Sequence, residues 1–423
     1  MNTMYLAYRQ LVFKPLNLLL SLVLLVLSVA LVTFAVELSK QVNGQMTKNI
    51  APVDMVVGAK GSPLQLVLSS VLHIDVPTGN IKQKETEFIK NHPFVGSAIP
   101  VSYGDNYKGY RILGTERHFL DSYDSALKEG SMFKKSFELV AGDAVSRKLG
   151  LQIGDKITSS HGLATSDVNA HEEHPYTIVG LLKPTGTVVD QLLICNLESI
   201  WDAHVHVEDV NDTYQHKEAH EHGDDHNHEA HDHDEHQNHE NNNREITSLL
   251  VKFKNPLGLV QLPRFINENS NLQTALPSFE MQRLTGLLGA GVKTINGIAI
   301  AILFVSGFSI FISLLKTIRE RRHELALLRT YGLGTRKLLT LVLFEGIFLA
   351  FFGFLLGWLC GRLALIVAST YMESGYGYVL QINAPTQVEW QLLSAILGIA
   401  IVAVILASRP IFKMNISKIL ADA

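Results

Sequence analysis

The sequence predicts an integral membrane protein with four transmembrane α-helices in a one-plus-three arrangement and a mixed α/β extracytoplasmic domain between helices 1 and 2. Three observations predict this fold class. Hydrophobic residues make up 47% of the 423 residues and concentrate in long apolar runs. The basic residues flank these runs unevenly, and a long stretch of mixed polarity separates the first run from the second. The net charge of -4 decides little by itself.

The apolar runs are long enough to cross a bilayer, which takes about 20 residues of helix. They cover Leu16 to Val36, Thr294 to Leu315, Leu338 to Ala368 and Leu392 to Ala407. A cleaved signal peptide is the alternative for the first run, since Arg9 and Lys14 precede it. The run exceeds the roughly 7–15 apolar residues of a signal peptide, so we expect a retained span.

Basic residues predict the orientation, because cytoplasmic loops are enriched in Lys and Arg. They precede the first span, crowd the segment after the second, and follow the fourth. The connection from Ser369 to Glu389 contains neither residue. We therefore expect both termini in the cytoplasm and the large domain outside it.

These observations predict a sequence of eight segments. They are the N-terminus with helix 1 (1–36), the extracytoplasmic domain (37–290), helix 2 (291–316), a cytoplasmic coupling segment (317–337), helix 3 (338–368), an extracytoplasmic loop (369–389), helix 4 (390–408) and a cytoplasmic tail (409–423).

The extracytoplasmic domain carries local signals for short strands and helices. A helix is predicted over Ala144 to Leu149, with Gly150 as its C-cap. Strands are predicted over Tyr176 to Leu182, Gln191 to Cys195 and Leu249 to Phe253. Pro100 is expected to mark a turn. The segment Gly58 to Asp75 is too short to span, and we favour a buried helix there over a membrane-skimming element.

A His-rich insertion over 204–243 holds most of the 18 histidines, interleaved with Asp and Glu. Its low apolar content predicts a disordered loop. Imidazole and carboxylate groups favour Zn2+ and similar ions, so the composition predicts metal binding, either physiological or incidental. The candidate ligands are His216, His220, His222, His226, His228, His231, His233, His236 and His239. The remaining histidines are assigned no role.

No catalytic residue is predicted, and the chain is not expected to be an enzyme. The sequence contains no G-x-x-x-x-G-K-[ST], G-x-S-x-G or H-E-x-x-H motif. Cys195 and Cys360 are expected to remain unpaired. Basic residues lie beside the spans, which gives no support for nucleic-acid binding.

The segment after the second span begins with a basic amphipathic helix, a pattern typical of a helix that docks a partner or lies on the membrane. It resembles the MacB/FtsX-type ABC permease family, and the resemblance covers nearly the whole chain. The matching positions are Glu320, Arg321, Glu324, Leu328, Arg329, Gly332 and Glu345. The strand–helix–strand pattern ending "GLQIGDKI" and the tail "RPIFKMNISKILAD" are also similar.

The resemblance implies a permease of a bacterial inner membrane, with its large domain in the periplasm, that pairs as a dimer and binds a separate ABC ATPase. Its docking residues would be Arg319, Glu320, Arg321, Arg322, Glu324, Leu328, Arg329 and Gly332. ATP would act only through that partner, which moves the extracytoplasmic domain. Glu345 is an acid at membrane depth with either a functional role or a structural one.

The alternative is a membrane-anchored, metal-sensing scaffold or regulator that performs no transport. The sequence leaves open the substrate, export versus mechanotransmission, and a homodimer versus a heterodimer. It also leaves open a periplasmic partner, and whether zinc is cargo, signal or incidental ligand.

Overall fold

The computed structural model describes residues 15–159, 175–203, 244–320, 327, 329–331, 334–376 and 384–409. In these residues the helices are, in chain order, α1 (Pro15–Ile50), α2 (Pro63–Ser70), α3 (Glu87–Lys90), α4 (Arg117–Ser122), α5 (Asp143–Leu149), α6 (Leu257–Asn269), α7 (Pro277–Glu320), α8 (Thr335–Tyr376) and α9 (Gln387–Ala407). Short 3₁₀ turns cover Gln83–Thr86 and Val188–Gln191, and residues 197–203 are helical.

The strands lie between α1 and α7. They are β1 (Met55–Ala59), β2 (Ile81–Lys82), β3 (Val95–Tyr107), β4 (Tyr110–Thr115), β5 (Leu127–Gly130), β6 (Glu138–Ala141), β7 (Lys156–Ile157), β8 (Tyr176–Leu182), β9 (Leu193–Cys195), β10 (Glu245–Ile246), β11 (Ser248–Phe253) and β12 (Leu272–Ala275). The chain divides into two compact units. We call Asn43–Gly286 the α/β domain, and the flanking parts the membrane unit.

In the described residues, α1, α7, α8 and α9 each contain a stretch long and apolar enough to cross a bilayer. All four are longer than their predicted apolar runs, and α9 begins at Gln387 rather than Leu392. α1 continues past 36 to Ile50, α7 begins at Pro277 rather than 291, and α8 continues past 368 to Tyr376. Hydropathy detects only the apolar part of a helix, whereas backbone hydrogen bonding continues through polar sequence.

Glycines on α8 let α1 approach closely. A Cβ added at Gly357 would lie 2.6 Å from Cβ of Val29. One added at Gly361 would lie 2.9 Å from the Ala30 carbonyl oxygen, and Gly353 is equally crowded by α1. Small residues at such positions are typical of helix packing in membranes. Gly353, Gly357 and Gly361 therefore form a packing surface of α8 for α1.

The other helices of the membrane unit meet through small and β-branched residues. The hydroxyls of Ser28 on α1 and Ser306 on α7 lie 2.7 Å apart and are buried. Gly307 on α7 faces Ile399 on α9, and Gly346 on α8 faces α9 and α7. These contacts form one apolar core among the four helices.

Within the described residues, the α/β domain contains a mixed sheet of ten strands in the order β12-β1-β11-β3-β4-β9-β6-β8-β5, with β7 paired to β8. β4 pairs with β9 and β6 pairs with β8 in parallel, and the other pairs in this sheet are antiparallel. β2 and β10 form a separate antiparallel pair.

Several local predictions for this domain are confirmed. α5 ends at Leu149, and Gly150 follows in the left-handed region with φ 65°. β8 has the predicted bounds, and the segment Gly58 to Asp75 contains the helix α2, which buries Leu66 and Val67 in the core.

Two local predictions are wrong. Pro100 lies inside the long strand β3, opposite Leu249, rather than in a turn. Because proline has no backbone N–H, it removes one hydrogen bond of the ladder at this position, and β3 continues through it. The predicted strand from Gln191 begins at Leu193 instead, because Val188–Gln191 forms a 3₁₀ turn.

Candidate functional site: the coupling region of the membrane unit

The predicted docking segment begins at the end of α7. Arg319 and Glu320 are exposed there, and Lys316 forms an ion pair with Glu320 at 3.9 Å. Arg329 is half-buried within a short helical stretch. The predicted residues Arg321, Arg322, Glu324, Leu328 and Gly332 lie outside the described residues.

The base of this segment is apolar and packed. Ile318 precedes the segment on α7 and is 3% exposed, while Leu338 follows it on α8 and is fully buried. Both belong to the core of the membrane unit. A force applied to the segment would therefore act on two helices that are packed into one core.

Glu345 is buried on α8, one residue before the glycine that faces α9 and α7. An acid at membrane depth is costly to bury and is a functional candidate by default. Glu345 lies buried on α8, the helix that also contains residues 335–337 at the end of the predicted coupling segment (317–337).

A buried ion pair between α8 and α9 was missed by the sequence analysis. Nη2 of Arg362 donates to both carboxylate oxygens of Glu389, at 3.0 and 2.9 Å. Trp358 Nε1 donates to Oε1 at 3.1 Å, and the Thr386 backbone N–H donates to Oε2 at 2.8 Å. Both charged residues are about one-twentieth exposed. Glu389 therefore joins the two helices and caps the start of α9.

A signal for this pair was present in the sequence. Arg362 interrupts the third apolar run, and a charge inside a span calls for a partner. Glu389 begins the next span, and antiparallel neighbours connected by a loop bring such residues together.

Glu37 is a second missed acid of the membrane unit. It lies on α1 and is 1% exposed, and its Oε1 accepts a hydrogen bond from Gln41 Nε2 at 3.1 Å. The described part of the membrane unit thus buries Glu37, Glu345 and Glu389. Polar groups inside helix bundles are retained where they have a structural or functional role.

The nine candidate zinc ligands lie outside the described residues, and no group of three potential metal ligands occurs within the described ones. The structure shows how the insertion is attached. Trp201 Nε1 donates to the Glu245 carbonyl at 2.7 Å, and the Arg244 guanidinium lies 4.8 Å from the Trp201 ring centroid. The residues on either side of the insertion are therefore held together by the folded domain.

Titratable groups of the α/β domain are tuned by burial. Burial, assisted by the charge of Arg111, lowers the pKa of His73 to about 3, so its imidazole is neutral. His73 Nδ1 lies 2.5 Å from the Tyr103 hydroxyl. Burial raises the pKa of Cys195 to about 12. Cys195 and Cys360 are both free thiols, as expected.

Comparisons with known proteins locate two family models on the chain. The FtsX-like permease C-terminal model matches residues 296–416, and the MacB-like periplasmic core domain model matches residues 18–218. No curated protein matches the chain.

Solved structures that resemble the chain each cover a little over half of it. The periplasmic region of MacB from Actinobacillus actinomycetemcomitans is 10% identical, covers 56% of this chain and 97% of its own, and has a TM-score of 0.34. The extracellular domain of the noncanonic ABC-type transporter YknZ from Gram-positive bacteria is 9% identical, with 52% and 98% covered and a TM-score of 0.29. A domain of a putative permease from Porphyromonas gingivalis is 12% identical, with 53% and 86% covered and a TM-score of 0.26.

The two family models fit the two units in chain order. One covers nearly all of α1 and the α/β domain as far as residue 218, and the other covers most of α7 together with α8 and α9. The chain therefore belongs to the MacB/FtsX-type permease family and is an ABC-type transporter permease subunit, a multi-pass inner-membrane protein of a family that works with an ABC ATPase partner.

Proposed function

We propose that this permease couples ATP hydrolysis by a separate ABC ATPase to movement of its α/β domain. The continuity of two helices carries the proposal. The division between the units falls between Val42 and Asn43, inside α1, and between Gly286 and Leu287, inside α7. An α-helix is held by a backbone hydrogen bond at each residue, so displacement at one end is passed along it.

The ATPase would dock on the predicted segment after α7. Its residues are Arg319, Glu320, Arg321, Arg322, Glu324, Leu328, Arg329 and Gly332. Their role is electrostatic and mechanical, with no bond made or broken. The packed base formed by Ile318 and Leu338 supports this role, because it connects the segment to α7 and α8 together.

Charge reversal tests the docking segment. Arg321→Glu with Arg322→Glu should abolish co-purification of the ATPase from native membranes while the permease still inserts. The matched control is Arg336→Glu with Lys337→Glu, which reverses two exposed charges at the start of α8. Retained co-purification in the first variant, or equal loss in the control, would count against specific docking.

Glu345 is proposed to contribute to coupling inside the bundle. Replacing it with Gln keeps the size of the side chain and removes the negative charge. We expect the purified complex to retain basal ATPase activity. We expect it to lose the coupling, measured as the nucleotide-dependent difference in hydrogen exchange of the α/β domain. Unchanged coupling would remove Glu345 from the functional residues.

The orientation follows from the positive-inside rule. We place both termini in the cytoplasm and the α/β domain in the periplasm, and we expect the permease to pair as a dimer. A single cysteine at exposed Thr47 should react with an impermeant maleimide added to spheroplasts, and one at exposed Thr330 should not. The reverse pattern would contradict this orientation. Cross-linking in native membranes tests the dimer.

Zinc regulation is a second proposal and concerns the insertion over 204–243. The many His, Asp and Glu residues of the insertion support it. The contacts of Trp201 with Arg244 and Glu245 hold the residues on either side together, so the insertion is a suitable segment to replace. Replacing 204–243 with a Gly-Ser linker should remove the zinc response of ATPase activity. The matched control exchanges the nine histidines for Gln at constant length. A zinc response that persists in both variants would exclude this role.

A further inference from the structure

The last two turns of α1 form hydrogen bonds with distant residues of the α/β domain, and two of these bonds go to one loop. Gln45 Nε2 donates to the carbonyl oxygen of Gly186 at 2.6 Å. Asn49 Oδ1 accepts from the Val188 backbone N–H at 3.1 Å. The Tyr123 hydroxyl donates to the Asn49 carbonyl oxygen at 3.1 Å. Three bonds thus join the end of this helix to residues far away in the sequence.

The loop that carries Gly186 and Val188 is held in its conformation by the carboxylate of Asp190. Asp190 Oδ1 accepts from the backbone N–H and the hydroxyl of Thr185, at 2.9 and 2.8 Å. Its Oδ2 accepts from the Gly186 N–H at 2.8 Å. Gly186 has φ 66°, a left-handed conformation that glycine adopts readily. Asp190 therefore fixes the loop that presents the Gly186 carbonyl and the Val188 N–H to α1.

The positions of these groups make the hydrogen bonds of Gln45 and Asn49 sensitive to rotation of α1. Asn49 is 1% exposed, and Met46 and Ile50 pack against the core of the domain. Successive helical residues are separated by about 100°, so a turn of α1 by one residue would move both amides away from the loop. Hydrogen bonds weaken steeply when misaligned, so such a turn must move the loop or break the bonds.

We propose that the loop from Lys183 to Asp190 is a torsional anchor that makes α1 the helix through which rotation reaches the α/β domain. Gln45, Asn49 and Asp190 are its positioning residues. This inference rests on the proposed coupling function. A loop that only stabilises the fold would give the same contacts, so its test needs a readout of transmission.

Hydrogen–deuterium exchange of the full-length complex, with its co-purifying ATPase, provides that readout. Uptake by the α/β domain is compared with and without Mg2+ and a non-hydrolysable ATP analogue. In the variant Gln45→Met with Asn49→Ala, we expect loss of the nucleotide-dependent difference, while β8 stays protected and the ATPase stays bound. Thr47→Ala is the matched control, because Thr47 is exposed on the same turns and bonds only within its helix.

The outcomes separate the anchor from the function. If wild type shows no nucleotide-dependent difference, the coupling function fails and the anchor fails with it. If wild type and the double variant both show it, the anchor is overturned and the function stands. If the double variant unfolds, the single variants Gln45→Met and Gln45→Lys are compared by the same exchange measurement. The anchor is supported if the nucleotide-dependent difference is lost in Gln45→Met and retained in Gln45→Lys, because lysine keeps a hydrogen-bond donor. Any other result overturns it.

Discussion

The two helices that cross between the units, α1 and α7, are held differently at their domain ends. α1 ends in directional hydrogen bonds from Gln45 and Asn49 to a rigid loop. α7 begins at Pro277 and packs Met281 and Leu284 against the domain core. Hydrogen bonds depend on angle, whereas apolar burial is non-directional. The first connection therefore resists rotation of its helix more than the second does.

The number of glycines near the division between the units also differs between α1 and α7. α1 has Gly44 close to the division between the units, whereas α7 has Gly286, Gly289 and Gly291 there. Glycine lowers helix stability by about 1 kcal/mol relative to alanine. We infer that both helices transmit movement and that α1 transmits rotation more stiffly than α7 does.

Proline in each helix gives the largest expected effect and could break this comparison. Gly44 and Gly286 are both exposed, with open space at the position of an added Cβ. Proline inside a helix costs about 3 kcal/mol and kinks it. Gly44→Pro should abolish the nucleotide-dependent exchange of the α/β domain, and Gly286→Pro should retain most of it. Equal loss would refute this difference between the helices, and alanine at each site controls for loss of glycine.

The ion pair between α8 and α9 offers a change that touches neither α1 nor α7. Arg362→Met leaves Glu389 buried without its cation, which costs about 3–5 kcal/mol. We expect a lower midpoint for thermal unfolding of the full chain in detergent. Adding Glu389→Gln keeps a helix-capping side chain and should recover most of the loss. A single variant as stable as wild type would show that the pair contributes little.

The glycine surface of α8 tests how firmly α1 is held inside the membrane unit. Gly357→Ala places a methyl group 2.6 Å from Cβ of Val29, and overpacking of this kind costs about 1–3 kcal/mol. Gly398→Ala is the matched control, because an added Cβ there meets open space. Thermal unfolding should show destabilisation at 357 and none at 398. Similar behaviour of the two variants would contradict close packing of α1.

The smallest expected effect is a dependence of the stability of the α/β domain on pH, which involves neither α1 nor α7. His73 is neutral when folded and takes up a proton on unfolding below its ordinary pKa of 6.5. Its contribution to stability is therefore complete above pH 6.5 and is lost as the pH falls toward 3, by at most about 1.4 kcal/mol per unit. His73→Asn, which tolerates the local φ of 58°, should reduce this dependence.

Pulse proteolysis of the full chain in urea measures that difference. The midpoint for the α/β domain should fall less between pH 7 and pH 5 in His73→Asn than in wild type. Identical pH dependence in the two proteins would mean that His73 does not titrate on unfolding.

Much of the fold was predictable because its signals are local. The apolar runs predicted the four spans, Gly150 predicted the end of α5, and the turn "KPTGT" marked the end of β8. The extension of α1 to Ile50 was not predicted, because "ELSKQVNGQMTKNI" is polar and has no span signal. Its helical form becomes evident only when Met46 and Ile50 are seen packed in the core.

The missed site residues depend on contacts between distant positions. Asn49 and Val188 are 139 positions apart, and neither residue type signals the other. Arg362 and Glu389 were readable in principle, since a buried charge requires a partner, but the choice of partner follows from the pairing of α8 with α9. The docking residues stay predictions, because most of them lie outside the described residues.

The most direct measurement of the central claim is hydrogen exchange across the wild-type α/β domain in the complex with its ATPase. Uptake would be compared between the nucleotide-free state and the state trapped with a non-hydrolysable ATP analogue. The account predicts a change in the loop from Lys183 to Asp190 and in the last turns of α1, with β8 unchanged. Identical uptake in the two states would contradict coupling of ATP to this domain.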